Sequence, residues 1–327
     1  MQRIAALAAG IASVMLAASA LIAGGTAAAQ EWPAKPIRFI VPFPPGGVTD
    51  TISRLLQEPL SQALKQPVVI ENKPGAGGTT GTEIVVRAEP DGYTMGLVIS
   101  THAANAAIRK KLPFDPVKDI TPITRFGVNN LPLCVHPSLP VRTVAELVDY
   151  AKKNPGKISY ASSGVGSAQH FAGEILKVKT GIDMVHIPYR GGAPAIADLL
   201  AGRVQLMFPS PAIKPHVDSG KVIALAVSHS ERSQLFPTLP TLVEAGVPGY
   251  AIVEWYAIIG PANIPAAILE RLNREIVRIV QDADLQARML QQGVEMVTSA
   301  PEGLRTWIAD EVARYKDIVS QVSIELE

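Results

Sequence analysis

Short apolar runs rich in β-branched residues alternate with helical patterns along nearly the whole chain, and this alternation constrains the fold more than any other feature. Ile37-Arg-Phe-Ile-Val precedes a helical spacing at Ile52, Leu55, Leu56, Leu60 and Leu64, and Val68-Val-Ile follows. A helix over Thr80–Ala88 and a strand over Tyr93–Ser100 continue the series. Strands and helices in regular turn bury their apolar faces best when helices cover a largely parallel sheet, so the expected class is α/β. Pro59 removes one backbone hydrogen bond inside the first helix and predicts a kink or a break there.

The texture changes to proline-punctuated connections beyond Pro113, and a second α/β series then begins. Thr143 and Glu146 have the spacing of a capping box at the start of a helix reaching Asn154. Strands are expected at Ile158–Ala161, Met184–Ile187, Val204–Phe208 and Val222–Val227, with helices over Ser167–Lys179 and Ala193–Ala201 between them. The strand Glu254–Pro261 and two helices, about 266–284 and 301–322, complete the chain.

Length adds the next constraint. Residues 1–29 carry Arg3, a long Ala/Leu/Ile-rich run and Ala27-Ala28-Ala29, the pattern of a secretory signal cut after Ala29. An uncleaved anchor is the competing reading, because the run is nearly long enough to cross a bilayer. Removing 29 residues from 327 leaves 298, more than a single core usually supports. Two lobes are therefore expected. The segment after Tyr250 is too short for a third and should return to the first, giving one lobe of residues 30–130 with 251–327 and another of 131–250. The chain would cross between them twice and enclose a cleft that can hinge.

Several function classes fall away. The net charge of +1 offers no electrostatic footprint for nucleic acid. Cys134 is the single cysteine, which excludes an internal disulfide. The histidines 102, 136, 170, 186, 216 and 229 show no metal-ligand spacing. Dinucleotide, phosphate-loop and nucleophile-elbow motifs are incomplete or missing, so no enzyme activity, metal or cofactor is expected.

Candidate binding residues lie on strand-to-helix loops. Phe43-Pro-Pro-Gly-Gly-Val-Thr-Asp50 contains Pro45, Gly46, Gly47 and Thr49; Ser162-Ser-Gly-Val-Gly-Ser-Ala-Gln-His170 contains Ser163, Gly166, Ser167 and His170. A helix N-terminus exposes unpaired N–H groups and partial positive charge, so each loop is a potential carboxylate cradle. Hydrogen bonds to a carboxylate contribute roughly 1.5–3 kcal/mol each. Several of them reach the ~8 kcal/mol of micromolar binding after ordering costs. In a third loop, Tyr189 can close over a ligand while Gly192 and Ala193 donate amides; Arg190 is either a carboxylate partner or simply solvated. Trp255 fits either a cleft floor or interlobe packing. Thr101 and His102 sit at a strand end, where α/β sheets bind ligands, though for His102 and His170 a structural hydrogen bond is equally consistent.

The chain resembles the Bug, or TctC, family of periplasmic receptors of tripartite tricarboxylate transporters. The likeness runs through Val41-Pro-Phe-Pro-Pro-Gly-Gly, Glu71-Asn-Lys-Pro-Gly-Ala-Gly-Gly, Ala88-Glu-Pro-Asp-Gly-Tyr-Thr, Leu112-Pro-Phe-Asp-Pro-Val-Lys-Asp, Tyr160-Ala-Ser-Ser-Gly, Ile187-Pro-Tyr-Arg-Gly-Gly-Ala-Pro-Ala and Pro237-Thr-Leu-Pro-Thr. It implies a type II periplasmic-binding-protein fold closing over a small carboxylate in the periplasm, with membrane transporter subunits as partners; the receptor is expected to be a monomer. It also implies that the first loop with Thr49 holds the carboxylate, while the Ser163–His170 and Tyr189–Ala193 segments supply second-lobe contacts. Many relatives carry an Asp for a ligand amine after the segment matching Met207-Phe208; Pro209-Ser-Pro stands here. Pro209 thereby tilts the expectation towards a plain carboxylate. A sensor that presents the acid to a signalling receptor is the principal alternative to transport.

Overall fold

The computed structural model describes residues 32–321, so the expected signal segment lies outside the described residues. Two mixed sheets organise the rest. The first has the order β11-β4-β10-β3-β1-β2, built from β1 (Ile37–Val41), β2 (Val68–Asn72), β3 (Thr94–Ile99), β4 (Ile120–Asn129), β10 (Glu254–Pro261) and β11 (Glu295–Met296). The second has the order β7-β6-β8-β5-β9, from β5 (Pro132–Val135), β6 (Ile158–Ser162), β7 (Met184–Pro188), β8 (Leu206–Met207) and β9 (Ile223–Val227). No described helix is long and apolar enough to cross a membrane.

The chain passes from the first sheet to the second between Asn129 and Pro132 and returns between Val227 and Glu254. The expectation of largely parallel sheets needs correction at both passages. β1 runs parallel to β2 and β3, and β6 runs parallel to β7 and β8. β5 and β10 are antiparallel to the strands on either side of them. The reason is topological: β4 delivers the chain at its carboxyl end, so the strand that receives it in the other sheet must start at that edge and run the opposite way. β10 does the same on the return, and Glu254 at its start is the Cα partner of Asn129 at the end of β4.

Helix α1 (Val48–Leu64) contains Pro59 and is not divided there. Its row Ile52, Leu56, Leu60 and Leu64 is buried throughout. Burial of four such side chains, each contributing about 1.5–3 kcal/mol, outweighs the roughly 3 kcal/mol that an interior proline costs. The remaining helices are α2 (Thr79–Val86), α3 (Thr101–Ile108), α4 (Val144–Lys153), α5 (Ala168–Thr180), α6 (Gly192–Leu200), α7 (Lys214–Asp218), α8 (Ala266–Val280), α9 (Ala283–Gln291) and α10 (Pro301–Gln321). The helix expected over about 266–284 thus ends at Val280, and α9 is separate because Asp282 caps it through a bond from the Leu285 N–H. At α4 the expected capping box is present: Thr143 accepts from the Glu146 N–H, and Glu146 reaches back.

Candidate functional site

The loops after β1, β6 and β7 leave the carboxyl ends of parallel strands, and the end of β4 and start of β10 meet the same edge. A cleft of about 360 Å³ lies there, lined by Phe43, Pro44, Pro45, Gly47, Val48, Thr49, Asn129, Ser163, Gly192, Ser210, Glu254 and Tyr256. Residues of both sheets contribute. Of the sequence candidates, Pro45, Gly47, Thr49, Ser163 and Gly192 come together in it.

The first loop is held by one carboxylate. Asp50 accepts hydrogen bonds from the Gly46 N–H (3.0 Å), the Arg54 Nε (3.0 Å) and the Asn72 Nδ2 (3.0 Å), while Asn72 also donates to the Phe43 carbonyl at 3.1 Å. The bond from Arg54, helped by those from Gly46 and Asn72, lowers the Asp50 carboxyl to about 2 despite burial. Gly46 stands at φ 83°, a region that costs other residues energy, so the turn that offers its N–H to Asp50 selects glycine. With Asp50 occupied internally, the first-turn N–H groups of α1 are left without intrahelical acceptors at the cleft wall. α6 presents Gly192 the same way from the second sheet, after Gly191 at φ 110° donates to the Ser163 carbonyl.

The second loop is built differently. Ser167 caps α5 by accepting the His170 N–H (3.2 Å) and donates its hydroxyl to the Gly164 carbonyl (2.8 Å). The Gly166 N–H donates to His170 Nδ1 at 3.2 Å, and the Ser163 N–H donates to the Gln169 side chain at 2.7 Å. Gly166, Ser167 and His170 therefore turn their polar groups on one another and do not line the cleft; the loop's own bonds use the donors that the sequence offered to a ligand. Beneath it His170 stacks on His186 at 3.8 Å, and His186 Nε2 lies 2.7 Å from Ser162 Oγ. Burial, with the neighbouring imidazole, pushes His170 down to about 3; burial pushes His186 down to about 4. Both rings are neutral at pH 7.

Other candidates lie outside this cleft. Thr101 lines a separate void of about 10 Å³ with His102, whose Nε2 bonds the Pro116 carbonyl at 2.8 Å. Tyr189 donates its hydroxyl to Asp198 at 2.7 Å, Ala193 and Arg190 are exposed, and Pro209 is buried beside the lining residue Ser210. Trp255 is fully buried and donates its Nε1 to Glu311 at 3.0 Å. Its place is set by the period of the strand: alternate side chains of β10 point to opposite faces, so Glu254 and Tyr256 face the cleft and Trp255 faces α10.

Asn129, Ser210, Glu254 and Tyr256 also line this cleft, although none was among the sequence candidates. The period-2 rule applied to the expected strand Glu254–Pro261 had the signal for two of them. Burial, only partly offset by the Tyr256 hydroxyl at 3.4 Å, pushes the Glu254 carboxyl up to about 7.

Comparison with known proteins agrees with this architecture. BugT of Bordetella pertussis is 35% identical over 302 residues, covering 91% of this chain and 93% of that protein. A Rhodopseudomonas palustris structure with adipate matches with a TM-score of 0.79 and 32% identity, covering 90% of this chain and 99% of that one. MatC from the same organism, with bound malate, matches at a TM-score of 0.75 and 30% identity over 88% of this chain and 100% of that one. The periplasmic binding protein BugD matches at a TM-score of 0.76 and 33% identity, covering 90% of this chain and 100% of that one. The model of the tripartite tricarboxylate transporter family receptor matches residues 52–324, and with two sheets sharing one cleft at their crossovers, this chain is a member of that receptor family with the fold of the periplasmic binding proteins.

Proposed function

We propose that the protein is a periplasmic receptor that captures a small organic acid in this cleft and hands it to the membrane subunits of a tripartite tricarboxylate transporter. The carrying observation is the placement of two helix N-termini, Gly47–Thr49 of α1 and Gly192 of α6, around one cavity whose lining contains no Lys, Arg or His. Such a site binds an anion through amide donors and helix dipoles, each dipole contributing about 0.3–1 kcal/mol and more when partly buried. The lobes are residues 30–130 with 251–327, and 131–250; the two passages between sheets form the hinge. Closure requires only that the ligand bind the closed state better than the open one. The signal segment 1–29 and the adipate- and malate-bound relatives support the same reading.

The test is a thermal-shift and calorimetric panel on protein unfolded and refolded to strip captured ligand. Carboxylates are expected to raise the midpoint. A ligand at 100 times its Kd adds ~2.7 kcal/mol. If sugars or simple amines stabilise the protein and no carboxylate does, the reading fails.

A further inference from the structure

Apart from Glu254, the buried carboxylates among the described residues are paired. Asp50 has three donors, Glu174 accepts from Tyr160 at 2.6 Å and Lys177 at 2.9 Å, and Glu311 accepts from Trp255 and pairs with Arg314 at 2.6 Å. Glu254 is the exception. It is half-buried in the cleft wall, with the Tyr256 hydroxyl at 3.4 Å as its side-chain donor, and among the described residues no cation pairs with it. It is also the single carboxylate among the cleft-lining residues. A partly buried carboxylate without a counter-charge is costly unless it takes up a proton or a ligand supplies the missing partner.

Its neighbours repeat the imbalance. Asn129, the Cα partner of Glu254, is 1% exposed and lines the same cleft. Its Nδ2 donates to the Tyr256 hydroxyl at 3.4 Å, whereas its Oδ1 is enclosed and among the described residues has no donor. Hydrogen bonds thus run from Asn129 through Tyr256 towards Glu254, and this wall of the cleft is rich in acceptors. The amide groups of α1 and α6 make the other walls rich in donors. One cleft therefore has a positive end and a negative end.

We propose that Glu254 is a specificity residue and that the ligand carries one carboxylate for the helix N-termini and one cationic nitrogen for Glu254, which sets the site against plain di- and tricarboxylates. The inference rests on the carboxylate-receptor reading and narrows its ligand class. Pro209 follows Met207-Phe208, where the family resemblance implies an amine-binding Asp in many relatives; Glu254 supplies that charge from the opposite sheet. A second ligand carboxylate placed there would meet a like charge unless one of the two took up a proton.

The experiment is calorimetry on ligand-stripped protein at pH 8 with two matched pairs, 4-aminobutanoate against glutarate and 3-(aminomethyl)benzoate against isophthalate, followed by the same titrations on Glu254→Gln. The amino member of the binding pair is expected to be tighter by about tenfold or more, and E254Q, which keeps size and fold, is expected to remove that preference. Diacid binding to the wild type should strengthen as pH falls from 8 to 6 and Glu254 gains its proton, and E254Q should abolish that trend. Tyr256 and Tyr315, whose hydroxyls feel the Glu254 charge, are pushed far up by burial and do not titrate in this range. A diacid that binds more tightly at pH 8, or a preference unchanged in E254Q, overturns the inference while leaving the receptor reading intact. If no acid in these pairs or the wider panel binds, the receptor reading itself fails and this inference falls with it.

Discussion

The loop after β1 and the loop after β6 look alike in sequence: each is glycine-rich, follows a strand and opens a helix. They are held by opposite chemistry. The first loop hangs on an ionised carboxylate, Asp50, with three donors around it. The second rests on hydroxyls and two stacked neutral imidazoles, His170 and His186. The first leaves helix amides facing the cleft, whereas the second spends its donors on itself and contributes Ser163. A glycine-rich turn before a helix therefore signals available donors only after the loop's own acceptors have been counted.

Replacing Asp50 should have the largest effect. Asp50→Ala strands the Gly46 N–H, Asn72 and Arg54 together, and is expected to cost about 2–4 kcal/mol in urea unfolding. Ligand affinity should fall with it, since the loop that aims the α1 amides is no longer tied.

Acid should separate the two loops. The depressed imidazoles contribute stability that is present above the unfolded pKa of about 6.5 and is lost as pH falls towards the folded values near 3 and 4. Between pH 6.5 and pH 5 the buried His170 alone should lose about 2 kcal/mol. Asp50 contributes stability present above its unfolded pKa near 3.8 and lost only as pH falls through about 2. Hydrogen exchange at pH 5 is thus expected to accelerate in residues 163–167 and not in 43–47. Equal acceleration in both would break the contrast.

Trp255 sharpens the distinction between packing and lining. Trp255→Phe keeps most of the apolar volume and strips one donor from Glu311, so about 1–2 kcal/mol of stability should be lost. Ligand Kd should stay within about twofold, because Tyr256 and Glu254, not Trp255, face the cleft. The smallest effect is expected at Tyr189. Its bond to Asp198 is partly exposed, and Tyr189→Phe should cost under about 1 kcal/mol. A larger drop in ligand affinity than in stability would show that Tyr189 reaches the ligand on closure.

Much of this was legible locally. β1 and β10 begin and end where their apolar runs do, and the Thr143–Glu146 spacing gave its capping box. β4 was not legible: Pro122 and the near-complete burial of the strand removed the alternation that marks one. Helix α3 hid for a related reason, since its alanines carry little periodic signal.

The amino-acid sequence by itself determined the alternating elements, the positions of the strand-to-helix turns and the family likeness, because each depends on residues near one another in the chain. Tertiary structure decided which turns meet, which of their donors remain free, and that β10 points Glu254 and not Trp255 into the cleft. Those outcomes depend on register and on partners more than a hundred residues apart, such as Asn129 beside Glu254, and no local pattern encodes them.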